Sequence, residues 1–146
     1  MSAVAAASRR PSHPFRVFAE TPDEWLELTG GSDATERVSA PDLKQAQRLC
    51  QTIRGSHVES AAVILDVYVH IEADSRMARK HFATVSPPAS VSYAGTPEGL
   101  AGLLADIYLA GVADGVTLIP VSQSTDIRCV AQRVLALLPH RVPLAA

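Results

Sequence analysis

Residues 93–121 read YAGTPEGLAGLLADIYLAGVADGVTLIPV, from Tyr93 to Val121. The stretch spells a helix that stops at a glycine and feeds directly into a strand. Thr96 is placed to cap the helix N-terminus, and Pro97 suits the first helical position, where a missing N–H costs nothing. Leu100, Leu103, Leu104, Ile107 and Tyr108 recur at helical spacing and make one apolar face. Gly111 reads as the C-terminal stop, and Asp114-Gly115 turns the chain into the β-rich run Val116–Val121. A helix feeding a buried strand in this way is half of a repeating α/β unit.

Outward from this unit the same alternation continues. Phe15–Ala19 reads as a short strand. Thr21-Pro22-Asp23-Glu24 has the form of a helix start, with Trp25, Leu26 and Leu28 in the helix and Gly30-Gly31 ending it. Asp33–Ala40 is a strand with only Ala34 and Val38 apolar. Ser39-Ala40-Pro41-Asp42 opens a helix bearing Leu43, Ala46, Leu49, Cys50 and Ile53 on one face, ending at Gly55. Ala61–Ala73, AAVILDVYVHIEA, is the strongest strand. Leu65, Val67, Val69 and Ile71 face one way, and Asp66, Tyr68, His70 and Glu72 the other. Asp74 caps a helix through Phe82, Val85–Val91 is a loop, and Asp126–Leu138 is a terminal helix with Ile127, Val130, Val134, Leu135 and Leu138 inward. The expected order is β-α-β-α-β-α-α-β-α, with parallel strands. Residues 1–13 read as a flexible tail, 14–139 as the α/β domain and 140–146 as a second tail.

The chain has 146 residues, enough for one ordinary core. With 13 basic and 15 acidic residues it carries no basic tract of the kind that grips nucleic acid. The basic run Arg76–His81 reads as the solvated face of an amphipathic helix. No apolar run approaches the ~20 residues that span a bilayer. The N-terminus lacks the apolar segment of a secretory signal, and Cys50 and Cys129 read as reduced thiols, so a cytoplasmic location is expected.

The run GTPEGLAGLLADIYLAGVADGVTLIPV resembles the C-terminal segment of the luciferase-like flavin-dependent monooxygenases. In that family the last helix and strand carry G-T-P, a small-residue turn near A-D-G, and an apolar strand ending in proline. The similarity extends upstream to about Pro14. It implies a partial, half TIM-type (β/α) barrel of four mainly parallel strands with flanking helices. A whole barrel takes about 250 residues, so the resemblance implies the C-terminal half alone. It further implies an FMN- or deazaflavin-dependent oxidoreductase, truncated and of low or no activity alone, with weak or no cofactor binding by this chain by itself. The alternative is a non-catalytic half-barrel subunit that completes or regulates a partner. A half barrel leaves bare the side chains that a full one buries, so a homo-oligomer or a partner barrel half is expected.

In α/β folds, ligands collect at the carboxyl ends of the strands. Those ends are Glu20-Thr21, Ser39-Ala40, Glu72-Ala73-Asp74 and Ser122-Gln123-Ser124. No phosphate-loop, dinucleotide, nucleophile-elbow or metal motif is present. The family comparison aligns Ala19–Asp23 with a flavin-phosphate loop, where Thr21 could donate a hydrogen bond. Glu20, Asp23 and Pro22 oppose an anion there. Asp66, Tyr68 and His70 are the candidate catalytic groups, as titratable residues on a lumen-side strand face. Asp66 and His70 lie ~13 Å apart along the strand, beyond direct contact. His13, His57, His81 and His140 read as surface residues.

Overall fold

A computed structural model describes residues 13–55, 61–84, 89–122 and 126–146. The described chain is mixed α/β. In order it runs β1 (Arg16–Glu20), β2 (Trp25–Glu27), β3 (Thr35–Val38), α1 (Leu43–Gly55), β4 (Ala62–Ile71), α2 (Ser75–Phe82), β5 (Ser92–Gly95), α3 (Pro97–Leu109), β6 (Gly115–Pro120) and α4 (Ile127–Leu137). A short 3₁₀ turn, Leu138–His140, follows. Among the described residues no helix is long and apolar enough to cross a membrane.

The unit that opens the sequence forms as its residues dictate. The Thr96 hydroxyl accepts the Gly99 N–H at 3.1 Å, and Pro97 sits in the first turn of α3. At the far end Gly111 takes φ 72°, a left-handed conformation that glycine adopts without strain. Gly111 N–H donates to Tyr108 O and Val112 N–H to Ile107 O, the paired bonds of a Schellman stop. The chain then enters β6, which is buried up to Ile119.

The strands make one open sheet ordered β2-β1-β6-β4-β3, with β5 also paired to β4. The sheet is mixed, where mainly parallel strands were expected. β2 is antiparallel to β1, and the other pairings are parallel. β3 and β5 share one edge of β4 end to end: Thr35–Val38 pairs Ala62–Leu65, and Ser92–Gly95 pairs Tyr68–Ile71. β3, β4 and β6 lie side by side in chain order, with β5 set end to end with β3 on β4, and the sheet is consistent with a partial barrel. β1 breaks the succession by lying against β6 rather than β3, the side on which a closed barrel's first strand meets its last.

Registers assign the two faces. Val17, Ala19, Val116, Leu118, Leu65, Val67 and Val69 point to one side and form the main core with Ala46 of α1, Leu100 and Leu104 of α3, and Ile127, Ala131 and Val134 of α4. Phe18, Thr117, Ile64, Asp66, Tyr68 and His70 point to the other. There Trp25 stacks on Phe18, with centroids 4.4 Å apart, and donates its indole N–H to Thr117 Oγ1 at 2.9 Å.

That stacking explains the main departure from the sequence reading. Residues 21–28 are a β-turn and strand, not a helix. Thr21 Oγ1 accepts the Asp23 and Glu24 N–H groups, and Thr21 N–H donates to Glu24 O at 2.9 Å. The turn folds Trp25–Glu27 back on β1, where alternation puts Trp25 and Glu27 on the Phe18 side. The strand wins over a short helix because pairing with β1 brings Trp25 onto Phe18 and Thr117.

Two further differences follow from pairing. β5 was not expected as a strand; it forms because Val91 N–H reaches Ala40 O and Tyr68 N–H reaches Val91 O, zipping the segment onto β4. Residues 140–146 are not a tail. Phe15 N–H donates to Pro143 O, Ala145 N–H to Phe15 O and Gly30 N–H to Ala145 O, and Val142 is buried. The proposed tail at 1–13 lies, except for His13, outside the described residues, as do His57, Gln123, Ser124 and most of the Val85–Val91 loop.

Candidate functional site

The carboxyl end of β4 delivers three chemistry-bearing side chains to one place. His70 and Glu72 are two residues apart and so leave the strand on the same side. Asp74 accepts the N–H groups of Arg76 and Met77 and so starts α2. The helix then carries His81 back over the strand end in its last turn. Glu72 Oε2 lies 2.7 Å from His70 Nε2 and 2.5 Å from His81 Nδ1, a single carboxylate oxygen held between two imidazoles. The two rings stand edge to face with centroids 6.2 Å apart. Hydrogen bonds from His81 and then His70 hold the Glu72 carboxyl below the usual carboxylate range.

The three groups differ in exposure. The His70 side chain is 12% exposed, Glu72 27% and His81 50%. His70 Nδ1 is buried with no hydrogen-bond partner among the described residues, and an orphaned buried polar atom of this kind costs about 1–3 kcal/mol. The group faces a cleft of ≈ 580 Å³ whose opposite wall is α4, with Asp126, Cys129 and Arg133. Asp126 caps α4 by accepting Cys129 N–H at 3.2 Å. Cys129 is an exposed free thiol.

The sequence candidates divide. His70 belongs to this cluster. Asp66, on the same strand face, belongs to another: Arg37 Nε donates to Asp66 Oδ1 at 2.7 Å and Arg37 Nη2 to Glu20 Oε1 at 2.5 Å. The Arg37 guanidinium also lies 5.4 Å from the Trp25 ring centroid. Burial pushes the Asp66 carboxyl above its ordinary range, and Arg37 only partly offsets this. Tyr68 lies between the two groups on the strand. Asp66, Tyr68 and His70 therefore share a face without forming one constellation.

Thr21 lines a second cleft of ≈ 760 Å³ at the carboxyl ends of β1 and β6, with Glu20, Pro120, Asp126 and Arg128. Its hydroxyl and its N–H are both engaged in the turn, the hydroxyl donating to Glu24 O at 3.2 Å. Arg128 pairs with Glu24 at 2.5 Å, and the Asp126 side chain occupies the first turn of α4. The groups that would cradle a phosphate are thus spent within the protein, and two carboxylates flank the opening.

His81 was read as a surface residue, and no metal motif was seen in the sequence. The signal was the spacing His-x-Glu on a strand, followed by a capped helix of eight residues bearing a histidine in its last turn. That spacing yields a cluster only once the Asp74 turn fixes the helix direction, which the residue types alone do not state. His13, also read as a surface residue, lies 3.2 Å from Asp33 Oδ2. No protein-family model matches the chain, and no curated protein matches it.

Proposed function

We propose that this chain is the C-terminal part of a luciferase-like flavin-dependent oxidoreductase, acting on FMN or a deazaflavin in the cytoplasm. The observation that carries the reading is the division between the two faces of the sheet, with α2 crossing the carboxyl end of β4. Helices α1, α3 and α4 pack on one face, and the other face bears Asp66, Tyr68, His70, Arg37 and Trp25. A barrel wall of the TIM type has this division, with helices outside and site residues toward the lumen and the carboxyl ends. The hard chemistry would be the cofactor's; the chain's part is to position the ring and shield it from water. Tyr68 offers an aromatic surface for such a ring, bordered by Trp25 under the Arg37 guanidinium, and Asp66 and His70 offer the titratable groups. The Thr21 turn contributes no phosphate cradle, so binding by this chain alone is weak.

The test is a titration of FMN, and separately of a deazaflavin, against the purified chain, followed by flavin and Trp25 fluorescence. Saturable quenching is expected, with a dissociation constant above roughly 1 µM, weaker than about −8 kcal/mol. No saturable signal up to the millimolar range would remove the flavin reading.

A second reading is a non-catalytic half barrel that completes a partner or a second copy. Strand β3 favours it, since among the described residues Thr35–Val38 pairs with β4 alone and stands at the edge of the sheet. Light scattering over a concentration series decides: a mass that rises to twice the chain supports pairing between copies, and a constant monomer mass leaves only a different partner.

A further inference from the structure

We propose that His70, Glu72 and His81 form a binding site for one divalent transition-metal ion, with zinc the best match. The proposal stands apart from the flavin reading and rests on its own geometry. One donor atom from each of the three side chains lies within 4.8 Å of the other two. Two imidazoles and one carboxylate suit zinc, and also cobalt and nickel, better than the oxygen-seeking magnesium or calcium. His70 comes from β4, Glu72 from the residue that follows it, and His81 from the last turn of α2, so strand and helix position two of the three ligands.

Two observations point to a ligand rather than to a self-contained hydrogen-bond cluster. The first is the crowding of both imidazoles onto a single oxygen of Glu72. The three donor atoms converge on one point, and a cation there, bound with release of the protons now shared with Glu72, would be held by all three groups. The second is His70 Nδ1, buried and without a partner among the described residues. The other ring nitrogen, Nε2, shares its proton with Glu72, and an ion held at Nε2 would take that proton's place.

The site has three protein ligands and opens on the cleft beneath α4. Structural zinc sites close with four protein ligands, whereas three ligands with an open side leave a position for water or for a bound molecule. Arg133 on the far wall, 3.8 Å from Glu98 and mostly exposed, places a cation at the mouth of the cleft. Arg133 is paired with Glu98 and Asp126 lines the same cleft, so water or another small oxygen-donor molecule is the class that the open position would take.

Isothermal titration of the full chain with zinc chloride, in a buffer that does not chelate, tests the site. One ion per chain is expected, and cobalt in its place should give visible d–d absorption of a four-coordinate site. His81→Ala and Glu72→Gln should each lower the affinity at least about tenfold. His81 is half exposed, so its removal should leave the far-UV circular dichroism unchanged. Long-range proton–nitrogen spectra should show ring nitrogens of both His70 and His81 shifting on zinc addition. Absence of saturable uptake would overturn the proposal. So would uptake undiminished in His81→Ala, or uptake lost in Cys129→Ser but retained in His81→Ala, which would move the ion to the thiol.

Discussion

Asp114 and Val63 are bound to each other twice. Asp114 N–H donates to Val63 O at 2.9 Å, and Val63 N–H donates to Asp114 Oδ2 at 2.9 Å. Asp114 is fully buried, and its other carboxylate oxygen takes Arg54 from the end of α1. The residue that turns the chain into β6 thereby also fixes where β4 begins and where α1 ends. Asp114→Ala strands the Val63 N–H and the Arg54 guanidinium, and should cost about 1–3 kcal/mol. Asp114→Asn keeps an acceptor for Val63 and should cost less. Urea unfolding of the three proteins checks the ranking.

Glu27 contributes to the acid limit of the fold. Burial alone would push its carboxyl up, but bonds from Arg16, Thr29 and the Gly31 N–H outweigh burial and hold it below its ordinary 4.5. Its folded-state pKa is depressed, so its contribution is complete above about pH 4.5 and is lost as pH falls through the lower folded value. Stability measured from pH 7 downward should stay level to about pH 5 and then decline. In Glu27→Gln that segment of the decline should be shallower, with a lower plateau at pH 7.

The two cysteines should differ sharply. Burial pushes the Cys50 thiol up to about 11, and the side chain is inaccessible. Cys129 is exposed on α4. A disulfide reagent at pH 8 should therefore label one thiol per native chain within minutes and the second only in denaturant. Two fast thiols in the native protein would contradict the packing of α1 on the sheet.

Gly111 should resist replacement. Its φ of 72° is a conformation that an L-residue adopts only with strain, and Gly111→Ala should cost about 1–2 kcal/mol. The thermal midpoint should drop, with no change in the far-UV spectrum.

What could be read from residue types was local. Caps at Thr96, Asp74 and Asp126 mark their helices, and the alternation in Ala62–Ile71 marks its strand, because those signals act within a few residues. Trp25 was misplaced because its partners are Phe18 and Thr117, and a contact between residues 25 and 117 leaves no trace in spacing. The position of β1 beside β6 is hidden for the same reason: Arg16–Ala19 would pair with any apolar parallel strand. At the site, His70 was visible from its strand, but Glu72 was counted only as part of a polar face. His81 lies on another element and joins them only through the turn at Asp74. The Arg37 bridge between Asp66 and Glu20 was likewise invisible, since three separate strands supply it.

The position of β6 has a bearing on how the chain reaches this state. The strand formed last in the sequence lies between two formed much earlier, β1 and β4, and Phe15 bridges to Leu144 near the C-terminus. On a ribosome, residues 16–71 emerge before their central partner exists, so β1 and β4 must wait with apolar edges exposed. Loop closure over some hundred residues precedes any reward from pairing, which slows folding and lengthens the interval in which nascent chains can associate wrongly. Refolding should therefore be late and all-or-none, and chains ending before Gly115 should be captured by chaperones rather than persist as half-built sheets.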